Sequence, residues 1–309
     1  MNRLSSVRFI ILLLFIGVPG FSFAQSVPFL YYNTDARTAA LGNTGYVIKS
    51  VFSGRINAAA LHLHKAKTLE VGSSFLLWQP QVANNKLLNV AAIKINQKMG
   101  YGVGYRYNIL KTIELSDQNG NYSGLFNPRE CALDFSMAYK IMPAVSLGVN
   151  LRYINSDMGG GKKAYAFASD ASLLYAKPKW QAGFGYTNLG TKINYGNLAY
   201  NLPTRIIGGI AYNVLDLTNH TILTTADISY QFYPDSDGID GGLGTEYVYK
   251  KMFALRLGYH MASERVGASY ASFGCGICYK RFDLSIAFLQ APENNPVRQS
   301  LLVSIKKDF

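Results

Sequence analysis

Side chains alternate along most of this sequence between an aliphatic or aromatic residue and a small or polar one. Between Gly100 and Ile109, the odd-numbered positions hold Tyr, Val, Tyr, Tyr and Ile, and the even-numbered positions hold Gly, Gly, Gly, Arg and Asn. A period of two predicts β-strands. In a soluble sandwich the polar face would carry Lys, Glu and Thr into water. Small residues with single charges instead suit the crowded interior of a membrane barrel whose apolar face contacts lipid.

The alternation recurs in fourteen segments, each long enough to cross a bilayer at the usual strand tilt. The connections between them alternate between short and long, which is typical of outer-membrane barrels. We therefore predict an all-β fold, a transmembrane antiparallel β-barrel of 14 strands over residues 68–309, with both of its ends on the periplasmic side. The predicted strands lie near 68–78, 87–98, 100–114, 122–141, 144–155, 164–176, 179–188, 203–214, 220–233, 242–250, 252–261, 266–279, 281–290 and 299–309.

The composition agrees with a membrane protein that has no spanning helix. Hydrophobic residues make up 49% of the chain and charged residues 16%, where a soluble domain has about 25% charged residues. No apolar run reaches the roughly 18 residues that a spanning helix needs. The net charge of +12 is scattered, so we expect no nucleic-acid partner. We expect Trp78 and Trp180 near the membrane interfaces.

The first 24 residues have the pattern of a cleaved signal peptide. Arg3 and Arg8 precede an apolar run at 9–16, and Ser22-Phe23-Ala24 is a small-x-small cleavage site. We therefore expect export and localisation in the outer membrane of a Gram-negative cell.

Residues 25–67 precede the first strand and do not alternate. Their apolar content argues against a disordered periplasmic tail, which is the alternative interpretation. We predict an N-terminal periplasmic or plug segment that folds into the barrel, with Asp35, Arg37 and Asn57 among its functional residues.

Charged residues on the inner face of the strands recur in opposite pairs. The midpoint of each pair falls in a predicted turn, so the partners should face each other across one hairpin inside the lumen. Such pairs either satisfy the interior charges of a narrow barrel or line a polar track for a solute. The predicted pairs are Arg106 with Asp134, Arg152 with Asp170, Arg205 with Asp227 and Arg256 with Glu246.

Motifs that would indicate catalysis or metal binding are weak. Cys275 and Cys278 lie three apart, which puts their thiols on opposite faces of a strand. The segment from Asp235 to Asp240 resembles a calcium loop but lacks the final Glu, so a tight surface loop is favoured and weak calcium binding stays open. We expect no cofactor, no metal site and no enzymatic activity.

Several short motifs resemble, in order and spacing, the PorV/PorQ family of outer-membrane barrels of the type IX secretion system. That family is similar to the long-chain fatty-acid transporter FadL. The resemblance runs from Val27 to Phe309 and favours the PorV branch. The motifs that carry it are Val27-Pro28-Phe29-Leu30, Asp35-Ala36-Arg37, Asn57-Ala58-Ala59-Ala60-Leu61, Leu151-Arg152-Tyr153-Ile154, Thr187-Asn188-Leu189-Gly190, Leu243-Gly244-Thr245-Glu246-Tyr247 and Ala254-Leu255-Arg256-Leu257-Gly258-Tyr259-His260.

The resemblance implies a carrier that binds the C-terminal signal domain of secreted cargo and passes it from the translocon to the surface attachment complex. The implied partners are those complexes, the cargo domains and outer-membrane lipid. Cargo would contact the long loops, where Tyr122, Tyr195, Tyr200 and Ile239 are the candidates. The first alternative is a FadL-like channel for hydrophobic small molecules. The second is a lipid-modifying enzyme, for which the chain offers no nucleophile with a base.

Overall fold

The structure is a computed structural model that describes residues 27–117, 119–159, 163–196, 198–232, 237–293 and 295–309. The predicted signal peptide lies outside the described residues. The N-terminal part contains two single-turn α-helices, α1 (Ala36–Ala39) and α2 (Ser53–Ile56), and two 3₁₀ helices, Pro28–Leu30 and Ala58–Leu63. The strands are β1 (Leu69–Trp78), β2 (Asn85–Ile95), β3 (Met99–Ile109), β4 (Ile113–Ser116), β5 (Tyr122–Phe126), β6 (Arg129–Met142), β7 (Val145–Asp157), β8 (Lys163–Ala176), β9 (Trp180–Gly190), β10 (Ile193–Asn194), β11 (Ala199–Tyr200), β12 (Thr204–Asp216), β13 (His220–Phe232), β14 (Gly238–Tyr249), β15 (Phe253–Ala262), β16 (Tyr270–Tyr279), β17 (Phe282–Gln290) and β18 (Ser300–Asp308).

Fourteen of these strands form a closed antiparallel barrel. Each wall strand pairs with the wall strands before and after it in the sequence, and β1 pairs with β18 to close the barrel. The predicted architecture is confirmed. The other four strands form two small hairpins, β4–β5 and β10–β11, outside the barrel sheet. The predicted strands 100–114 and 122–141 were therefore too long, because Ile113–Ser116 and Tyr122–Phe126 pair with each other and not with the wall.

The two faces of the wall separate as the alternation predicts. Tyr101, Val103 and Tyr105 on β3 are each more than 40% exposed, whereas Arg106 and Asn108 on the same strand are fully buried. An apolar face that is exposed on every strand of a closed barrel is the face that contacts lipid. The protein core therefore lies inside the barrel, not between two sheets.

Connections at the two ends of the barrel differ in length. At the end where β1 begins and β18 ends, the strands are joined by residues 96–98, 143–144, 177–179, 217–219, 250–252 and 280–281. The opposite end carries 79–84, 110–128, 158–162, 191–203, 233–237, 263–269 and 291–299. Short periplasmic turns and longer extracellular loops are the rule for this class, so the second end is the extracellular mouth.

One of the two tryptophans departs from its expected position. Trp180 is exposed on the outside, at the start of β9 and next to a periplasmic turn. Trp78 stacks on Tyr32 with ring centroids 4.7 Å apart, inside the mouth. It shares the inward face of β1 with the buried Leu76. Of the described residues, no helix is long and apolar enough to cross a membrane.

Residues 27–67 occupy the interior of the barrel. Val27 and Phe29 pack near the mouth against wall residues such as Leu76 and Leu289. Further along, Leu41, Tyr46 and Val47 form a second cluster and Val51, Phe52 and Leu61 a third. The segment therefore enters the described structure near the mouth, descends through the lumen and joins β1 at the periplasmic end. We call residues 27–67 the plug.

Candidate functional site: the filled lumen and its mouth

Asp35 fixes the first turn of the plug. Its Oδ1 accepts from the backbone N–H of Arg37 at 3.0 Å, as an N-cap residue does for α1. Its Oδ2 accepts from the hydroxyl of Ser50 at 2.6 Å. Asp35 thus ties two distant parts of the plug together, which explains why a buried carboxylate is tolerated there.

Arg37 joins the plug to the wall through Glu246 of β14. Its Nη2 lies 2.6 Å from Glu246 Oε1 and its Nε 2.9 Å from Oε2. Arg256 of β15 faces Glu246 in the sheet register and donates from Nε at 2.6 Å. The carboxylate therefore holds one guanidinium from the plug and one from the wall. Burial lowers the pKa of Arg37, but the adjacent carboxylate of Glu246 outweighs it, so the net pKa is raised.

Asn57 fixes the lower part of the plug by donating from Nδ2 to the carbonyl of Tyr46 at 2.6 Å. The 3₁₀ helix that follows rests on Gly148 of β7, where a Cβ would collide with the backbone of Ala58 and Ala59. From the sequence, the inner glycines are expected only as small residues in a crowded lumen. Here the glycine makes room for the backbone of the plug.

Two further carboxylates of the wall bind the plug, and the sequence did not predict these contacts. Asp227 of β13 accepts from the backbone N–H groups of Gly45 and Tyr46 at 2.7 and 2.9 Å. Glu70 of β1 contacts His64 Nδ1 at 2.8 Å and Lys49 Nζ at 3.1 Å. Backbone donors leave no charge pattern in the sequence, so the contacts of Asp227 could not be predicted.

The other lumen charges form a ladder across β3, β6, β7 and β8. Arg152 reaches Asp134 at 2.6 Å and Asp170 at 2.9 Å. Arg106 lies 3.4 Å from Asp134. The structure therefore brings together Arg106 with Asp134 and Arg152 with Asp170, but diagonally. Across β3–β6 Asp134 faces Gly104, and across β7–β8 Asp170 faces Asn150, in each case two residues from the predicted partner. Arg152 faces Asp134 directly across β6–β7.

Arg205 and Asp227 do not form the predicted ion pair. Both face the lumen, but Arg205 is paired in the register with Gln231 and Asp227 with Gly209. Arg205 donates to the hydroxyl of Thr187 at 3.3 Å and lies over a Tyr31 ring at 5.2 Å. The plug accounts for the missing ion pair. Its backbone N–H groups donate to Asp227, and its Tyr31 ring lies under the guanidinium of Arg205.

The four predicted loop residues have different environments. Tyr122 at the start of β5 is 66% exposed, and Tyr200 in β11 is also exposed. Tyr195 is half-buried because its hydroxyl donates to Ser156 at 2.7 Å and its ring packs against Tyr200. Ile239 is exposed but lies in the wall strand β14, so its assignment to a loop was wrong. Of the four, Tyr122 and Tyr200 are the exposed residues of the mouth loops.

Cavities inside the barrel are separated by the plug. A periplasmic cavity of about 500 Å³ lies between the plug and strands such as β14 and β16, and one of about 390 Å³ opens at the mouth. Between them lies a central cavity of about 50 Å³, bordered by charged residues that include Arg55, Arg152, Arg205 and Asp227. A space of that size holds only a few waters, so among the described residues this cavity is too small for a hydrocarbon or a sugar.

The residues considered for metals lie apart. Cys275 is exposed on the outer face of β16 and Cys278 borders the periplasmic cavity, so the two thiols point to opposite faces. Asp235 lies outside the described residues, Asp237 accepts from the Tyr230 hydroxyl at 2.9 Å, and Asp240 faces the lumen. Among the residues that the structure describes, no group of three metal-ligating side chains occurs.

Comparisons with known proteins agree on the fold and name a family. A family model described as "Type IX secretion system protein PorV" matches residues 21–236. A comparison with curated proteins gives no match. The chain is similar in structure to the Ralstonia pickettii toluene transporter TbuX (TM-score 0.56, 13% identity, 88% of this chain and 96% of that chain). It is also similar to the monoaromatic hydrocarbon channel CymD (0.58, 13%, 92% and 98%) and to a Pseudomonas aeruginosa FadL homologue (0.56, 11%, 89% and 98%).

Proposed function

Because the chain belongs to the PorV family of type IX secretion system proteins, we propose that it binds the C-terminal signal domain of secreted proteins at its extracellular loops. It then passes them from the translocon to the surface attachment complex. Its barrel fold and its family are those of an outer-membrane protein. The proposal includes no covalent step, and the barrel acts as a binding component and not as an enzyme.

The filled lumen is the observation that carries this proposal. The plug leaves a central space of about 50 Å³, whereas pockets for small-molecule ligands have about 300–1,000 Å³. A folded cargo domain cannot enter such a lumen and can reach only the mouth and its loops. The exposed Tyr122, Leu125 and Tyr200 supply apolar area on these loops, and exposed aromatic residues are frequent anchors of protein interfaces.

Substitution of the exposed loop residues tests the proposal. We expect the triple variant Tyr122→Ser, Leu125→Ser and Tyr200→Ser to assemble normally, because none of the three lies in a wall strand. Loss of buried aromatic anchors costs about 2 kcal/mol each at an interface. Cargo captured by the tagged barrel, and cargo secreted by the cells, should therefore both fall at least tenfold.

The matched control replaces Tyr122 and Tyr200 with Phe, which keeps the rings. It should retain most of the binding. Equal cargo capture by the Ser variant and the wild type, at equal amounts of folded barrel, would remove these loops from the proposal.

A channel for hydrophobic small molecules is the second candidate. Its support is the mouth cavity, where Tyr32, Trp78 and Tyr270 border about 390 Å³, and the structural neighbours that carry toluene or other monoaromatic hydrocarbons. Uptake of labelled toluene into cells that express the barrel, compared with cells that lack it, distinguishes the two. Rapid uptake that depends on the barrel would favour the channel.

A further inference from the structure

The mouth cavity combines aromatic rings with carboxylates. We call the space bordered by Tyr32, Trp78, Tyr270, Asp240 and Glu264 the mouth cleft. Tyr32 stacks on Trp78, and Tyr270 packs against His260 with ring centroids 4.9 Å apart. The rings are therefore held in fixed orientations by their neighbours, which makes the cleft a preorganised surface.

Two carboxylates, Asp240 and Glu264, border the mouth cleft, and His260 Nε2 lies 3.9 Å from Asp240 Oδ2. Asp240 is almost fully buried, and Glu264 is exposed on the loop above it. Among the described residues that border the cleft there is no Lys and no Arg, although the chain as a whole carries a net charge of +12. The carboxylate of Asp240 accepts from Ser229 and from Gln231 Nε2 at 3.2 Å, which fixes its position.

One side of the mouth cleft, formed by β1, β17 and β18, is apolar. Leu76, Leu289 and Leu302 are each buried to within 2% and border the same space. A ligand that fills the cleft therefore packs an aliphatic part against this side, and the rings and the carboxylates of β14 and the loop after β15 attract a positive charge. A neutral hydrocarbon would bring no counter-charge to the carboxylates.

We propose that the mouth cleft binds a lysine side chain of an extracellular peptide. The aliphatic stem packs on the leucines and the rings, and the ammonium lies between the aromatic faces and the carboxylates of Asp240 and Glu264. That the peptide belongs to a secreted protein rests on the proposed function. The binding of the ammonium group does not.

Binding of short blocked peptides to the purified barrel in detergent tests this inference. The probes are acetyl-Gly-Gly-Lys-Gly-Gly-amide and the same peptide with norleucine, which keeps the aliphatic stem and lacks the charge. Cation–π and charge-assisted contacts together correspond to about a tenfold preference for the lysine peptide. The preference should decrease with added salt. Equal or tighter binding of the norleucine peptide, or no binding of the lysine peptide, would overturn the proposal.

Variants locate the site. Glu264→Gln and Asp240→Asn should each weaken binding of the lysine peptide several-fold and leave the norleucine peptide unchanged. Glu293→Gln is the matched control, because Glu293 is a solvent-exposed carboxylate on another mouth loop that does not border the cleft. Glu264 is itself exposed, so its variant should fold. An equal effect of Glu293→Gln would reduce the result to a general effect of surface charge and overturn the site.

Cargo capture by the same Glu264→Gln preparation separates this inference from the proposed function. Weakened capture of cargo together with weakened binding of the lysine peptide supports a secreted ligand. Unchanged capture with weakened peptide binding would overturn the assignment of the lysine to cargo. If even the wild type captures no cargo, the proposed function fails, and the peptide measurements still decide whether the cleft binds ammonium.

Discussion

At the scale of single residues, carboxylates of the wall bind the plug, whereas the sequence predicted only ion pairs between neighbouring strands. Glu246 is the clearest case, since it bonds both Arg37 of the plug and Arg256 of the wall. Glu246→Gln would leave two guanidiniums in the lumen without a full counter-charge. Breaking a buried pair in this way costs roughly 3 kcal/mol. We expect a loss of about this size in the free energy of unfolding, measured by urea titration of the barrel in lipid vesicles.

Glu293→Gln serves as the control for Glu246→Gln. The Glu293 side chain is 88% exposed and contacts Arg298 at 3.4 Å, and exposed pairs contribute little. A loss for Glu246→Gln no larger than that of this control would mean that the plug and the wall do not depend on the shared carboxylate.

At the scale of structural elements, the contact between the second 3₁₀ helix and β7 depends on the absence of a side chain. A methyl group at position 148 would collide with the backbone of Ala58 and Ala59, and backbone cannot move aside as a flexible side chain can. We expect Gly148→Ala to displace the lower plug, so that protease added from the periplasmic side cleaves it faster than in the wild type. Gly104→Ala is the matched control, because its new methyl group would meet its nearest neighbour at 3.7 Å, an ordinary contact. Similar cleavage rates for both variants would show that the plug does not rest on Gly148.

The wall strands were predicted well because a local pattern decides them, whereas the hairpin β4–β5 was not predicted. Alternation identified all fourteen wall strands, because the period of the side chains follows directly from strand geometry. Most bounds were right to within a few residues, but 100–114 and 122–141 extended past β3 and β6 into the hairpin. It could not tell wall strands from the hairpin β4–β5, since Ile113–Ser116 and Tyr122–Phe126 are extended in both cases. Only pairing across the barrel separates them, and pairing is a long-range property.

At the scale of the whole molecule, the closed wall and its filled lumen predict the conductance. The barrel closes through the β1–β18 pairing, and the central cavity of about 50 Å³ holds only a few waters. We expect the intact protein in a planar bilayer to show no steady pore. A variant that lacks residues 28–63 should conduct, since removal of the plug joins the two end cavities.

Removal of the hairpin from 113 to 126 is the control, and should leave the bilayer closed because that hairpin lies outside the barrel sheet. If the variant without the plug does not assemble, the intact barrel can be treated with urea at a concentration that leaves the wall folded. We expect this treatment to release the plug and to open a pore reversibly. A steady pore in the untreated intact protein, or a folded barrel that stays closed after removal or release of the plug, would contradict the filled lumen.

The sequence by itself determined the strand periodicity, the number of wall strands, the alternation of short and long connections, and the family. The first three follow from residues that are close together along the chain, so local geometry is enough to derive them. The family follows from the resemblance of several short motifs in their order and spacing. The tertiary structure decided which charges meet. Arg205 and Asp227 were predicted partners and are separated, while Glu70, Asp227 and Glu246 hold the plug. The reason is that the plug meets the wall far from its own position in the sequence, and its backbone N–H groups compete for carboxylates without leaving any pattern in the residue order.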